Sequence, residues 1–76
     1  MKLEFQVEVY MFSVGDKVKI KSKFGGIYDN LTGVVVENNP DKWYIRVKFD
    51  NTVIFYNEEI ITQEIFYPSE LSKIKV

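Results

Sequence analysis

Alternation of apolar and polar residues with a period of two is the feature that most constrains the fold of this chain. Residues 2–10, 17–23 and 43–49 each alternate in this way. A period of two places successive side chains on opposite faces of a β-strand. Of the 76 residues, 33 are β-branched or aromatic, whereas Ala is absent and Leu occurs three times. The sequence therefore predicts an all-β protein.

The same patterns divide the chain into short strands joined by turns. Strands are predicted at 2–10, 17–23, 34–36, 43–49, 52–56, 60–67 and 72–76. Turns are predicted where Gly, Asn, Asp and Pro cluster, at 13–16, 24–31, 38–41, 50–51 and 57–59, with a 3-10 turn at 68–71. Gly15 is expected to supply a positive φ, and the apolar run at 34–36 predicts a strand buried on both faces. Short strands at this spacing predict a small barrel or sandwich.

The chemistry open to this chain is narrow because it contains neither Cys nor His. The absence of Cys removes disulfides and thiolate nucleophiles, and the absence of His removes the commonest general base and metal ligand. A domain near this length buries only about 60% of the surface that its unfolded chain exposes, which leaves little room for an enclosed active site. We therefore expect a single domain over residues 1–76 that is not an enzyme and holds no cofactor or metal.

Several short motifs along the chain form one arrangement of strands and turns. Gly15-Asp16 precedes an alternating strand, Gly33 opens a Val-rich strand, and a third strand ends in Val47-Lys48-Phe49-Asp50. Pro68-Ser69-Glu70-Leu71 then precedes the last alternating residues. This arrangement resembles the SH3-like small β-barrel of the KOW or translation-protein type, over about residues 13–51 and 66–76. The resemblance implies a barrel closed by a 3-10 turn and a final strand, and barrels of this kind bind RNA, DNA, proline-rich peptides or protein subunits.

The chain also departs from a minimal barrel of that type. The N-terminal strand at 2–10 and the segment 53–65 are additional, and we expect them to pair as an added sheet layer with an extended hairpin, or to form a subunit contact. The ALYDY-type motif of eukaryotic peptide-binding SH3 domains is absent from the sequence. That absence argues against a proline-peptide role.

Charge is segregated along the chain although the net charge is only −1. Residues 17–48 carry +4, whereas 1–16 carry −2 and 49–76 carry −3. The predicted strand at 17–23 places four lysines on one face, and a basic pair on the third strand could extend that face. A nucleic-acid site would then comprise Lys17, Lys19, Lys21, Lys23, Arg46 and Lys48. The alternative is a solvated strand face on which lysines protect an exposed edge.

Tyrosines supply the second candidate surface, because five of them cannot all enter so small a core. Tyr suits an interface where one end of the ring is apolar and the other is wet. The predicted partner-binding residues are Tyr28, Tyr44, Tyr56 and Tyr67. The alternative is that each Tyr covers its own strand. Trp43 is expected in the core, since it shares the parity of Ile45 and Val47.

Together these observations predict a binding module whose partner is another protein or a second copy of itself. The alternative function is a KOW-like nucleic-acid binder that uses the lysines. Residues with AT-rich codons predominate, which suggests a low-GC bacterium, its phage or a mobile element, and an accessory role there. No long apolar stretch or signal peptide is evident, so we expect a cytoplasmic location, no membrane contact and no small-molecule substrate.

Overall fold

The computed structural model describes residues 12–21, 26–39, 41–54 and 57–74. Within these ranges five strands form one antiparallel sheet: β1 (Lys17–Ile20), β2 (Thr32–Asn38), β3 (Ile45–Ile54), β4 (Ile60–Phe66) and β5 (Leu71–Lys73). The strand order is β4-β3-β2-β1-β5, so β5 returns to pair with β1 after a 3-10 turn at Pro68–Glu70. The prediction of an all-β protein is confirmed.

One face of the sheet carries the hydrophobic core. In β1, Val18 and Ile20 are fully buried, whereas Lys17 and Lys19 point to solvent, as the period of two predicts. The buried side chains of the described residues are all apolar: Phe12, Val18, Ile20, Val35, Ile45, Val47, Phe49, Phe66, Pro68 and Leu71. The single 3-10 turn in these ranges is far too short to cross a membrane as a helix.

The predicted turns at 13–16, 38–41 and 57–59 are confirmed, as are the turn within 24–31, seen at residues 27–30, and the 3-10 turn at Pro68–Glu70. The first three have an identifiable physical cause. Gly15 has φ +100°, and its N–H donates to the carbonyl of Val35 at 2.8 Å. Lys42 N–H donates to the carbonyl of Asn39 at 2.9 Å, which closes the turn before β3. The turn between β3 and β4 includes Glu58 at φ +67°, beside a bond from Glu59 N–H to the side chain of Asn57.

The predicted hairpin turn at Asp50-Asn51 is wrong. Strand β3 continues through these residues to Ile54, and the described residues of segment 53–65 belong to β3, β4 and the turn before β4. Lys48 pairs with Gln63 and Val53 with Ile61, so β3 advances five residues while β4 advances two. The local turn signal therefore corresponds to a bulge in a continuous strand.

Burial of the apolar run at 34–36 on both faces is also wrong. Val35 is fully buried, Val34 is partly buried and Val36 is 37% exposed. The described strands form one sheet, and among them only the neighbouring strands cover the face of β2 that points away from the core. The predicted strand at 2–10 and the final residues 75–76 lie outside the described residues.

Candidate interaction surface

The prediction that Trp43 lies in the core is wrong, because its side chain is 46% exposed. Trp43 lies in a bend, and β3 begins two residues later at Ile45. The alternation that buries Ile45 and Val47 therefore does not extend back to it. The sequence signal for its position was the predicted turn at 38–41, which ends two residues before Trp43. Residues that directly follow a turn are often not yet paired in the strand.

Three aromatic side chains meet at this end of the sheet and form what we call the aromatic patch: Trp43, Tyr44 and Tyr67. The ring centroids of Trp43 and Tyr67 are 4.9 Å apart with a 40° tilt, and those of Trp43 and Tyr44 are 5.1 Å apart in an edge-to-face arrangement. Tyr67 is 52% exposed and Tyr44 is partly buried. The patch therefore presents two large aromatic surfaces to solvent at one place.

The strand register explains why residues so distant in sequence meet. Ile45 on β3 pairs with Phe66 on β4, and both are buried. Residues just before Ile45 and just after Phe66 therefore leave the sheet side by side, and these are Tyr44 and Tyr67. The pairing of Ile45 with Phe66 therefore places Tyr44 and Tyr67 next to each other.

The 3-10 turn holds the second half of the patch in place. Tyr67 N–H donates to a carboxylate oxygen of Glu70 at 2.9 Å, and Glu70 N–H donates to the carbonyl of Tyr67 at 2.9 Å. Pro68, the first residue of the turn, is buried. Pro fixes its own φ, and reciprocal bonds across a turn limit its movement. Tyr67 is consequently presented from a well-constrained backbone.

Two cationic side chains lie near the ring of Tyr44, the partly buried member of the aromatic patch. Lys42 Nζ is 5.9 Å and Arg46 Cζ 5.7 Å from the centroid of the Tyr44 ring, distances at which a cation is attracted to the ring face. Arg46 also donates from Nε to Glu37 at 3.0 Å, and that hydrogen bond is the main reason why the pKa of Arg46 is raised. Much of the Arg46 charge is therefore engaged by Glu37.

Of the four predicted partner-binding tyrosines, the structure brings Tyr44 and Tyr67 together. Tyr28 lies elsewhere: its ring stacks on Phe49 at 5.3 Å and meets Phe66 edge-on at 5.7 Å. Its hydroxyl donates to Glu64 at 3.2 Å, and burial, followed by this carboxylate, raises the pKa of Tyr28. Tyr56 lies outside the described residues. Tyr28 thus packs over the core, apart from the aromatic patch.

The predicted basic residues partly converge on the outer face of the sheet. Lys17 pairs with Val34, and Val34 pairs with Lys48, so the two lysines flank one valine on the same face. Lys19 and Lys21 are exposed, whereas Lys23 lies outside the described residues. Within the described ranges Lys19 and Lys48 make no ion pair.

An acidic residue interrupts this basic face. Lys17 Nζ is 3.1 Å from Asp50, and the same carboxylate accepts a hydrogen bond from the Thr32 hydroxyl at 2.7 Å. These two bonds, that of Thr32 first, lower the pKa of Asp50. Glu37 similarly faces Arg46. Two of the candidate cations thus have carboxylate partners, which leaves a weaker positive field than the sequence alone suggests.

Comparison with known proteins assigns no family to this chain. No protein-family model matches the sequence, and no curated protein matches it.

Proposed function

We propose that this chain is a non-catalytic binding module that docks a segment of a partner protein onto the aromatic patch. The observation that carries the proposal is the contact between Trp43 and Tyr67, two large aromatic side chains that are both about half exposed. Trp and Tyr are the residues most enriched at the energetic centres of protein interfaces. Exposed large apolar side chains that lie in contact, unlike single ones, are typical of interaction sites.

Preorganisation supports the same conclusion. The backbone on one side of the patch is fixed by the pairing of Ile45 with Phe66, and on the other by the hydrogen bonds between Tyr67 and Glu70. A partner that binds a surface already ordered loses less conformational freedom on the module's side, so more of the contact energy appears as affinity. Lys42 beside Tyr44 adds a positive rim that favours a partner with nearby carboxylates.

We also propose that the fold is an SH3-like barrel of the KOW or translation-protein kind. The pairing of β5 with β1 directly after a 3-10 turn supports it, as does the consecutive order of the other four strands. Gly33, which the resemblance places at the start of a Val-rich strand, is the second residue of β2. Such barrels serve many different functions, so the fold proposal does not itself select a partner.

The alternative function is nucleic-acid binding through the basic face. Its support is the placement of Lys17 and Lys48 on either side of Val34, with Lys19 exposed nearby. Asp50 and Glu37 oppose it, since each holds one of the cations that a phosphate would need. The protein-binding proposal depends on exposed aromatic side chains and not on these cations, and it is therefore the one we favour.

Tryptophan fluorescence of this chain reports on the aromatic patch because Trp43 is the single Trp. The immobilised full chain retrieves partners from a lysate of the source organism, and a purified partner is then titrated while Trp43 fluorescence is recorded. We expect a change in emission on binding, and about 30-fold weaker binding for Tyr67→Ala, which truncates a central interface residue. Val14→Ala is the matched control, since Val14 is an exposed apolar residue in the first turn.

Salt dependence separates the two functions. A short single-stranded oligonucleotide is titrated at increasing salt with the wild type and with the double variant Lys19→Glu, Lys21→Glu. Partner binding that the double variant loses while Tyr67→Ala retains it would overturn the protein-docking proposal. Oligonucleotide binding that falls steeply with salt and disappears in the double variant would establish the alternative.

A further inference from the structure

The two ends of the sheet are protected to different degrees. β5 at one end has only three residues, and its last residue is Lys73. β4 at the other end has seven residues, and within the described ranges it pairs only with β3. Natural edge strands are usually kept short, charged, bulged or interrupted by Pro, because an unprotected edge pairs with another strand.

Among the residues that the structure describes, β4 has few of these protections along its length. Its sequence, Ile-Ile-Thr-Gln-Glu-Ile-Phe, contains no Pro and no Lys, and the bulge of the hairpin lies on β3. Its one charge, Glu64, is partly buried and accepts the hydroxyl of Tyr28. At the far end of the strand, Ile60 pairs with Ile54, and the two side chains are 63% and 66% exposed.

The sequence of β4 is complementary to itself when two copies run antiparallel about Gln63. In that register Ile60 lies opposite Phe66 of the other copy and Ile61 lies opposite Ile65. Glu64 then faces Thr62 of the other copy, so the only charges of the two strands do not oppose each other. A two-fold axis repeats every contact, which is the usual geometry of a homodimer.

We infer that β4 is a self-association edge at which a second copy of this chain adds its own β4 antiparallel, centred on Gln63. The product is a continuous sheet across the dimer, with the exposed isoleucines of each hairpin beside the new seam. Main-chain hydrogen bonds supply the pairing, and the apolar contacts at either end set the register. This surface differs from the aromatic patch, so its test does not depend on the proposed partner.

The register makes a charge-swap experiment possible. Gln63 is exposed, and in the inferred dimer it lies opposite itself, so Gln63→Lys and Gln63→Glu each place like charges across the axis. Sedimentation velocity of the full chain over a range of concentrations should give a dimer for the wild type. The dissociation constant of the dimer should be about tenfold higher for each single variant than for the wild type. An equal mixture of the two variants should dimerise as the wild type does. Ser69→Lys, an exposed residue of the 3-10 turn, is the matched control and should dimerise like the wild type.

Hydrogen exchange of the β4 amides identifies what covers the edge. Protection that increases with protein concentration, and that both Gln63 variants lose, is expected for pairing between copies. A monomer at every concentration overturns the inference. So does protection of β4 that does not vary with concentration, because it would mean that another part of the same chain occupies the edge. Dimerisation that neither variant weakens would place the contact elsewhere and would equally overturn it.

Discussion

Gly33 is the position where the smallest change should have the largest effect on the fold. It is buried on β2, opposite Val18 of β1 and Phe49 of β3. A Cβ added there would lie 2.5 Å from the carbonyl oxygen of Lys48 and 2.6 Å from Cγ1 of Val47. Both separations are far below van der Waals contact, so Gly33→Ala cannot be accommodated without movement of β3.

The cost can be estimated from the two neighbours. Val47 is fully buried and Lys48 contributes main chain to the β2–β3 pairing, so neither can move freely. Overpacking of this kind costs about 1–3 kcal/mol, while replacing Gly in a strand returns about 0.5–1 kcal/mol. Because two clashes occur together, we take the overpacking cost near the top of its range, which leaves a net loss of stability of about 2 kcal/mol. A domain of this length has about 4–11 kcal/mol of stability in total, so the loss is a substantial fraction.

Thermal and urea denaturation followed by circular dichroism measure this loss. Gly33→Ala should lower the melting temperature by about 10 °C and lower the urea midpoint without changing the slope. Thr52→Ala, an exposed site on β3, is the control and should change stability by less than about 0.5 kcal/mol. In a Val47→Ala background the penalty of Gly33→Ala should shrink, since one clash is gone. A Gly33→Ala protein as stable as the wild type would refute the close approach of β2 and β3.

Three further predictions concern the surface residues. Trp43→Ala should lower the free energy of unfolding by less than about 1 kcal/mol because the ring is half exposed. A larger decrease measured by urea denaturation would mean that Trp43 is part of the core. Tyr28→Phe keeps the ring stack but removes the hydroxyl bond to Glu64, so it should cost about 1 kcal/mol; an unchanged midpoint would mean that the bond contributes nothing. The pKa of Asp50 is lowered in the folded state by Thr32 and then Lys17, so its contribution is complete above the unfolded pKa, near pH 4, and disappears as the pH falls through the lower folded value. Asp50→Asn should therefore melt with a weaker dependence on pH below about 4 than the wild type, and identical pH profiles would contradict the assignment.

The strands and most of the turns could be predicted because their signals are local. Alternation located β1 and the first half of β3, and a Gly or Asn able to adopt positive φ located turns. Asp50-Asn51 failed for a non-local reason. Its carboxylate binds Lys17 and Thr32 on two other strands, so β3 continues with a bulge where the local residues favour a reversal. A dipeptide cannot reveal which distant groups its side chain will meet.

The candidate site was only half predictable for a related reason. Tyr44 and Tyr67 were included in the predicted surface by residue type, but their meeting depends on the pairing of Ile45 with Phe66, which residue type does not show. Trp43 was missed because parity was extended past the first residue of β3. Alternation indicates which face a residue takes only inside a strand, and the ends of strands are the least certain positions.

If the proposed function is correct, the end of the β3–β4 pairing connects the stability of this chain to its binding of a partner. The same register that buries Ile45 and Phe66 carries Tyr44 and Tyr67 out of the sheet together. Because side chains alternate with a period of two, a slip of one residue would expose the two core residues and turn the tyrosines inward. A change at Ile45 should therefore reduce stability and partner binding together, whereas a change at Tyr67 should affect binding alone. That difference follows from the position of the patch directly beside the last core pair, and it would be lost if the patch were only a group of aromatics unrelated to the register.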